Sequence, residues 1–209
     1  MILCVSMRAT ALVGCSGSSE PAADASVEGG IGLSVSTQNN PFFVTLVEGA
    51  EAAAEEAGVS LTVVDAGDDV TKQVSDVEDL LSKNIAVLII NPVDSDAVSG
   101  VVADAMAAGV KVIAVDRVVN GVEVDCTIAS DNVMGAVEAI DGAGKDILVV
   151  VFYATDGAIA AINEGRMAAT IAQQPEMIGK AAVENAVKLI AGESIEANIP
   201  VEVALVTAE

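Results

Sequence analysis

The feature that most constrains this chain is a regular alternation, from Ile31 onward, of short apolar segments with segments of helical spacing. Strands are predicted at four apolar segments, 31–36, 61–64, 86–90 and 112–115. Helices are predicted between them, at 41–57, 70–82 and 96–108, where apolar residues recur every three or four positions. Pro41 suits the first turn of the first helix and Gly58 its end. Short strands that alternate with helices favour an α/β fold with a doubly wound parallel sheet.

The composition fits this architecture and argues against several classes of function. Apolar residues make up 53% of the chain, yet aromatic residues only 2%, as expected where aliphatic strands are covered on both faces. The net charge of −22 argues against nucleic acid binding, which needs clustered Lys and Arg. With no histidine, the chain lacks the commonest metal ligand and the Ser-His and Cys-His pairs. We therefore expect neither an enzyme nor a metal or cofactor site.

Residues 1 to about 30 are predicted to lie outside the fold. Arg8 precedes a short apolar run and then Cys15, after which small residues continue to Gly30. The run Leu12-Val13-Gly14-Cys15 resembles a bacterial lipoprotein signal, which implies acylation at Cys15 followed by a flexible tether. The apolar run is shorter than the usual ~7–15 residues. A start farther upstream, a damaged signal and a disordered tail with an incidental cysteine therefore stay open.

Polar and aromatic side chains follow the carboxyl ends of three predicted strands, the edge at which doubly wound sheets bind ligands. A sugar requires planar groups that donate to and accept from adjacent hydroxyls, and an aromatic surface against its C–H groups. Each residue alone has an ordinary explanation, such as a turn or a core aromatic pair. Their convergence on one edge favours a sugar site. They are Asn39, Asn40, Phe42 and Phe43 after the first strand, Asn91 after the third, and Asp116 and Arg117 after the fourth.

Several segments resemble the ribose-binding proteins of ABC transporters, in that family's order and spacing. They are STQNNPFF at 36–43, INPVDSDAV at 90–98, DR at 116–117, IASDN at 128–132 and MAATIAQQP at 167–175. The resemblance covers nearly everything after residue 31. It implies a periplasmic-binding-protein type I fold and a solute-binding component of an ABC importer. The ligand would be a monosaccharide, a ribose-like pentose, and the partner a membrane permease. The location would be extracytoplasmic, in the periplasm or at the cell surface, with a lipid anchor at Cys15.

The resemblance also implies roles for individual residues. In the first lobe, the residues that hold the sugar would be Asn40, Phe42, Phe43, Asn91, Asp116 and Arg117. Phe152 and Gln173 would contact the sugar near the second lobe and the hinge. Tyr153 departs from the family pattern, which has an Asp there, because a phenol does not offer the two acceptor oxygens of a carboxylate.

The second lobe is expected to be reduced. On the family plan the first lobe takes 31–130 plus 173–198 and is complete, while 131–172 plus 199–209 leave 53 residues for the second. One βαβ unit alone takes about 30 residues, so several units are missing, with the join near Ile140. The strand predicted at 147–151 then loses neighbours, and we expect self-association through this remnant.

Other functions remain open beside sugar binding. An internally deleted, non-binding relic or interaction module of the same family is the main alternative, because of the short signal and the missing units. A sugar-responsive transcription regulator shares this lobe architecture. It is disfavoured because no helix-turn-helix precedes residue 31 and the charge has the wrong sign.

Overall fold

The computed structural model describes residues 29–132, 150–152, 154 and 156–208. Its helices are α1 (Pro41–Ala57), α2 (Val70–Ser82), α3 (Ser99–Ala107), α4 (Asp156–Asn163) and α5 (Pro175–Ile190). The first five strands are β1 (Ile31–Val35), β2 (Leu61–Asp65), β3 (Val87–Ile90), β4 (Lys111–Val115) and β5 (Cys126–Ser130). The remaining strands are β6 (Val150–Phe152), β7 (Ala169–Ala172), β8 (Asn198–Val201) and β9 (Ala204–Thr207).

Six strands form one parallel sheet in the order β2-β1-β3-β4-β5-β8. One hydrophobic cluster packs α1 and α5 against one face of this sheet, and a second packs α2 and α3 against the other. Helices on both faces explain why β3 is apolar and buried throughout. The predicted doubly wound parallel sheet is confirmed.

The ends of the first two helices follow from local chemistry that is visible in the sequence. The side chain of Asn40 caps α1 by accepting a hydrogen bond from Phe42 N, and Pro41 occupies the first turn. Gly58 ends α1 with φ of 67°, in the left-handed region that glycine adopts without strain. Asp69 caps α2 in the same way as Asn40 caps α1. The predicted bounds of α1 and α2 are confirmed.

Helix α3 begins three residues later than its predicted start at 96. Asp94 Oδ1 accepts from the backbone N–H groups of Asp96 at 2.9 Å and Ala97 at 2.8 Å, the pattern by which Asp69 caps α2. Residues 95–98 form turns after this cap, where the bond from Val98 N to Asp94 O is 3.4 Å long, and the regular helix begins at Ser99.

A smaller sheet follows, with the strand order β6-β7-β9 in the part of the chain that the structure describes. Strands β6 and β7 are parallel, and β9 runs antiparallel to β7. Strand β8 pairs with β5 in the larger sheet, which extends that sheet to Val201 and puts the last passage between sheets at Glu202 and Val203. This passage lies later than the predicted end of the first lobe at 198. The strand predicted at 147–151 is described only from Val150, and residues 147–149 lie outside the described ranges.

Candidate functional site

The carboxyl edge of the larger sheet brings together the turns after β1, β3 and β4. Because these strands are parallel neighbours in the sheet, their carboxyl ends lie at one edge. The predicted first-lobe residues belong to these turns or to the start of α1, and the structure places most of them in mutual contact.

At the start of α1, two aromatic rings pack against each other. The ring centroids of Phe42 and Phe43 are 5.2 Å apart and the rings are perpendicular. Phe43 is buried in the core, whereas Phe42 is half-buried. Asn40 is exposed at the head of the helix, where its Oδ1 lies 3.0 Å from Phe42 N. The rings are thus held by the fold, and Asn40 is held by its capping bond.

Arg117 extends across this aromatic pair. Its guanidinium carbon lies 5.4 Å from the centroid of the Phe43 ring, within cation–π range. Its Nη1 donates to Pro92 O at 2.8 Å, and its Nε lies 3.7 Å from Asp116 Oδ2. The side chain remains 43% exposed, so the guanidinium is fixed on one side and open on the other.

Asp116 stands at the point where β4 ends, in an uncommon backbone conformation. Its φ is 64°, in the left-handed region that Asp and Asn tolerate better than most residues. Burial raises the pKa of the Asp116 carboxyl, while Arg117 and a hydrogen bond from Asn91 oppose the rise. A partly buried carboxylate beside a guanidinium can accept hydroxyl protons while the guanidinium donates to neighbouring oxygens.

Asn91 lies under the site and not on its surface. It is 0% exposed. Its Oδ1 accepts from Ser36 N at 3.2 Å, and its Nδ2 donates to Val115 O at 3.2 Å and points to Asp116 Oδ2 at 3.5 Å. The sequence predicts Asn91 as a sugar contact. In the structure it joins the ends of three strands and leaves no surface open to a ligand.

Sequence reasoning missed Gln73, which lies on α2 and is 0% exposed. Its side chain bonds to both Asn91 O and Val93 N. The signal was present, because Gln73 stands four residues before Val77 and seven before Leu80, on the helix face that is otherwise apolar. A polar residue in an apolar stripe marks a buried hydrogen-bonding role.

The two remaining predicted residues lie at the carboxyl ends of the smaller sheet. Phe152 is the last residue of β6 and pairs in register with Ile171 of β7, and Gln173 follows β7 directly. The side chain of Phe152, all of Tyr153 and the predicted acylation site Cys15 lie outside the described residues.

Hydrogen bonds join three described segments at which the chain leaves one sheet or enters the other, at 131–132, 173–174 and 202–203. Gln173 Nε2 donates to Asn132 Oδ1 at 2.8 Å, which links the first segment to the second. Gln174 Nε2 donates to Glu202 O at 2.8 Å, which links the second to the third. The N–H of Asp131 donates to Val201 O at 2.9 Å. Gln173 therefore sits where the chain changes sheets.

The described residues include neither a candidate metal site nor a candidate membrane span. Among them, the structure holds no group of three or more Cys, Asp or Glu side chains placed to bind a metal ion. None of the helices in the same ranges combines the length and apolarity needed to cross a bilayer.

Comparison with known proteins gives one family. The model of the periplasmic binding protein domain matches residues 31–134 and 120–194. The ribose import binding protein of Bacillus subtilis is 32% identical over 264 residues, which cover 85% of this chain and 87% of that protein. Its counterpart from Escherichia coli is 30% identical over 273 residues, covering 88% of this chain and 92% of that protein.

The alignment lengths show an internal difference in size. The alignment with the Bacillus subtilis protein runs over 264 residues but contains 85% of this 209-residue chain, about 178 residues. About 86 residues of the relative therefore have no counterpart here. The larger sheet has six strands, so the first lobe accounts for little of this difference. The difference in size is therefore consistent with a reduced second lobe.

Solved structures share the fold. A periplasmic ribose ABC transporter structure from Conexibacter woesei superposes with a TM-score of 0.79 at 18% identity, covering 88% of this chain and 94% of that chain. A myo-inositol binding protein from Caulobacter superposes with a TM-score of 0.68 at 22% identity, covering 88% of this chain and 94% of that chain.

Proposed function

Because the chain belongs to the periplasmic binding protein family, we propose that it is the solute-binding component of an ABC importer and that it binds a monosaccharide. The observation that carries this proposal is the arrangement of Arg117 between the Phe43 ring, Pro92 O and Asp116. It presents a fixed donor group beside a fixed acceptor group at the carboxyl edge of the sheet. Adjacent hydroxyls of a sugar ring need that pairing.

Each site residue has a role under this proposal. Asp116 accepts from sugar hydroxyls, Arg117 and Asn40 donate to sugar oxygens, and Phe42 offers apolar surface to the C–H groups. Phe43 supports the guanidinium from below. Asn91 acts through its contacts with the strand ends and not by touching the sugar.

The second lobe is proposed to contribute less to sugar binding than the first lobe. Phe152 and Gln173 are proposed to meet the sugar from the smaller sheet, since both lie at its carboxyl ends. About 86 residues of the relative have no counterpart in this chain. Without them, much of the surface that closes over a sugar in the full-length relatives would be missing here. We therefore propose a first lobe of 31–130 plus 173–201, a reduced second lobe from the remainder, and weaker binding than in a complete two-lobe protein.

A ribose-like pentose is the favoured ligand. The curated relatives that match most of this chain are named ribose import binding proteins. A related fold from Agrobacterium radiobacter was solved with D-arabinose, at 18% identity. We further propose a membrane permease as partner, an extracytoplasmic location with a lipid anchor at Cys15, self-association through the second-lobe remnant, and no catalytic step.

Isothermal titration calorimetry with a panel of pentoses and hexoses tests the proposal. We expect heat of binding with at least one pentose, and loss of that heat in Arg117→Ala. Lys83→Ala is the matched control, because it also removes one exposed cation but lies at the end of α2, away from the site edge. If the folded wild-type protein gives no heat of binding with any sugar of the panel, sugar binding is contradicted.

A second function is favoured by one specific observation, the missing counterpart of about 86 residues of the relative. A chain with a complete first sheet and a reduced closing lobe could persist as a non-binding interaction module. The same titration separates the two functions. A folded protein that binds no sugar but forms dimers in light scattering at high protein concentration supports the module.

A further inference from the structure

A buried glutamine on α2 connects the site to the helix beneath it. Gln73 is 0% exposed and shares its helix face with Val77 and Leu80, which belong to the hydrophobic cluster on that side of the sheet. A polar side chain in such a place must be hydrogen-bonded, because an unsatisfied buried amide is costly. The hydrogen-bond partners of Gln73 indicate what its side chain holds in place.

The amide of Gln73 bonds to the backbone on both sides of Pro92. Its Nε2 donates to Asn91 O at 2.9 Å and also lies 3.2 Å from Ser34 Oγ. Its Oε1 accepts from Val93 N at 2.7 Å. Pro92 has no N–H of its own, so within this turn the backbone donor of Val93 and the acceptor of Asn91 are held by one side chain.

The same turn supports Arg117. The carbonyl oxygen of Pro92, between the two groups that Gln73 holds, accepts from Arg117 Nη1 at 2.8 Å. The side chain of Asn91 continues to Ser36 N and Val115 O. A shift of this turn would therefore be passed to the guanidinium and to the ends of β1 and β4.

We propose that Gln73 is a positioning residue for the ligand site: it fixes the turn of residues 91–93, and through Pro92 O it fixes the guanidinium of Arg117. The inference rests on the proposed sugar-binding function for its effect on affinity. Its effect on Arg117 itself is independent of any ligand. A residue that merely satisfied the core would contribute stability without setting the place of Arg117.

The test compares Gln73→Met with Val77→Ala in the full chain. Methionine has nearly the length of glutamine but does not form the two backbone bonds. Val77→Ala removes buried methyl groups one turn farther along the same helix and leaves the Gln73 bonds intact. The stability of each variant is measured by urea unfolding, its pentose affinity by calorimetry, and the placement of Arg117 by the NMR signal of its side-chain Nε–H.

We expect Gln73→Met to bind pentose about tenfold more weakly, a difference of about 1.4 kcal/mol, and to move the Arg117 Nε–H signal toward its position in the unfolded chain. We expect Val77→Ala to lose stability while its affinity and its Arg117 signal stay unchanged. An unmoved Arg117 signal in folded Gln73→Met overturns the positioning role. So does an equal loss of affinity in both variants.

The two proposals fail in different ways. If the wild-type protein binds no sugar, the proposed function is wrong, and the Arg117 signal alone then decides the role of Gln73. If Gln73→Met does not fold, Gln73→Asn replaces it. Asparagine stays neutral and polar, but its side chain is one methylene shorter and does not reach both Asn91 O and Val93 N, so the same movement of the Arg117 signal is expected, and its absence counts against positioning.

Discussion

The guanidinium carbon of Arg117 lies 5.4 Å from the centroid of the Phe43 ring, and Nη1 of the same group donates to Pro92 O at 2.8 Å. One cation is thus held by an aromatic face of α1 and by a backbone carbonyl of the turn after β3. Both contacts depend on the planar guanidinium, which stacks and donates in fixed directions. A flexible ammonium of equal charge would not reproduce them.

Arg117→Lys therefore tests the geometry of the site apart from its charge. We expect pentose affinity to fall by about 1.5–3 kcal/mol, the range for hydrogen bonds that involve a charged group. We expect the free energy of unfolding to change little, because the Arg117 side chain is 43% exposed. Calorimetry measures the first quantity and urea unfolding the second. An affinity equal to that of the wild type would show that only the charge matters.

Asp116→Asn is expected to alter how stability depends on pH. Burial raises the pKa of Asp116 in the folded protein above its ordinary value of 3.8. The folded state therefore binds the Asp116 proton more tightly than the unfolded state does. The protonated carboxyl thus stabilises the fold below pH 3.8, and this stabilisation is lost as the pH rises through the folded pKa. Asparagine does not titrate there and tolerates the left-handed backbone at this position.

The measurement is urea unfolding of both proteins across a pH series from acid to neutral. Relative to the wild type, the variant should gain stability as the pH rises through the window between 3.8 and the folded pKa, and the difference should then level off. Asp68→Asn serves as the matched control, because Asp68 is exposed and its backbone is left-handed as well, with φ of 63°. A difference that stays flat, or that falls with rising pH, would contradict the raised pKa.

How much the sequence predicts depends on the range of the interactions involved. Helices α1 and α2 have the bounds predicted for them because their limits are local: Asn40 caps, Pro41 starts and Gly58 stops α1. The convergence of Phe43, Asp116 and Arg117 follows from the parallel order of the strands, which the alternating pattern predicts.

Features that depend on contacts between distant parts of the chain are not predicted from the sequence. The burial of Asn91 depends on partners 24 and 55 residues away, and the role of Gln73 on partners 18, 20 and 39 residues away. The pairing of β8 with β5 is long-range as well, because it joins Thr127 to Asn198, whereas the resemblance alone predicts the end of the first lobe at 198. Strand β8 tolerates Pro200 because it lies at the edge of the sheet among the described strands.

Cys126 is expected to resist thiol reagents in the folded protein. It is 0% exposed, and burial raises the pKa of its thiol to about 11, with further contributions from Asp125 and Glu196. At about pH 8 the reactive thiolate is then scarce, whereas an unfolded thiol of pKa about 8.5 reacts readily. A Cys4→Ser/Cys15→Ser variant isolates this thiol. Ellman's reagent should label it rapidly in denaturant and slowly without it, and rapid native labelling would contradict the assignment.

Substitution by alanine is expected to have opposite effects at Gly179, which lies in the contact between α1 and α5, and at Gly100, which lies outside it. A Cβ at Gly179 of α5 would collide with the backbone oxygen of Leu46 on α1, and one at Gly49 would collide with Glu176 O. Backbone atoms cannot move aside as a side-chain tip can, so Gly179→Ala must separate the helices, and we expect a loss of about 1–3 kcal/mol. Gly100 of α3 has open space around its Cβ position, so Gly100→Ala should stabilise the fold by about 0.4–1 kcal/mol, through a less flexible unfolded chain. Urea unfolding measures both variants, and a Gly179→Ala protein as stable as the wild type would refute the close approach of α1 and α5.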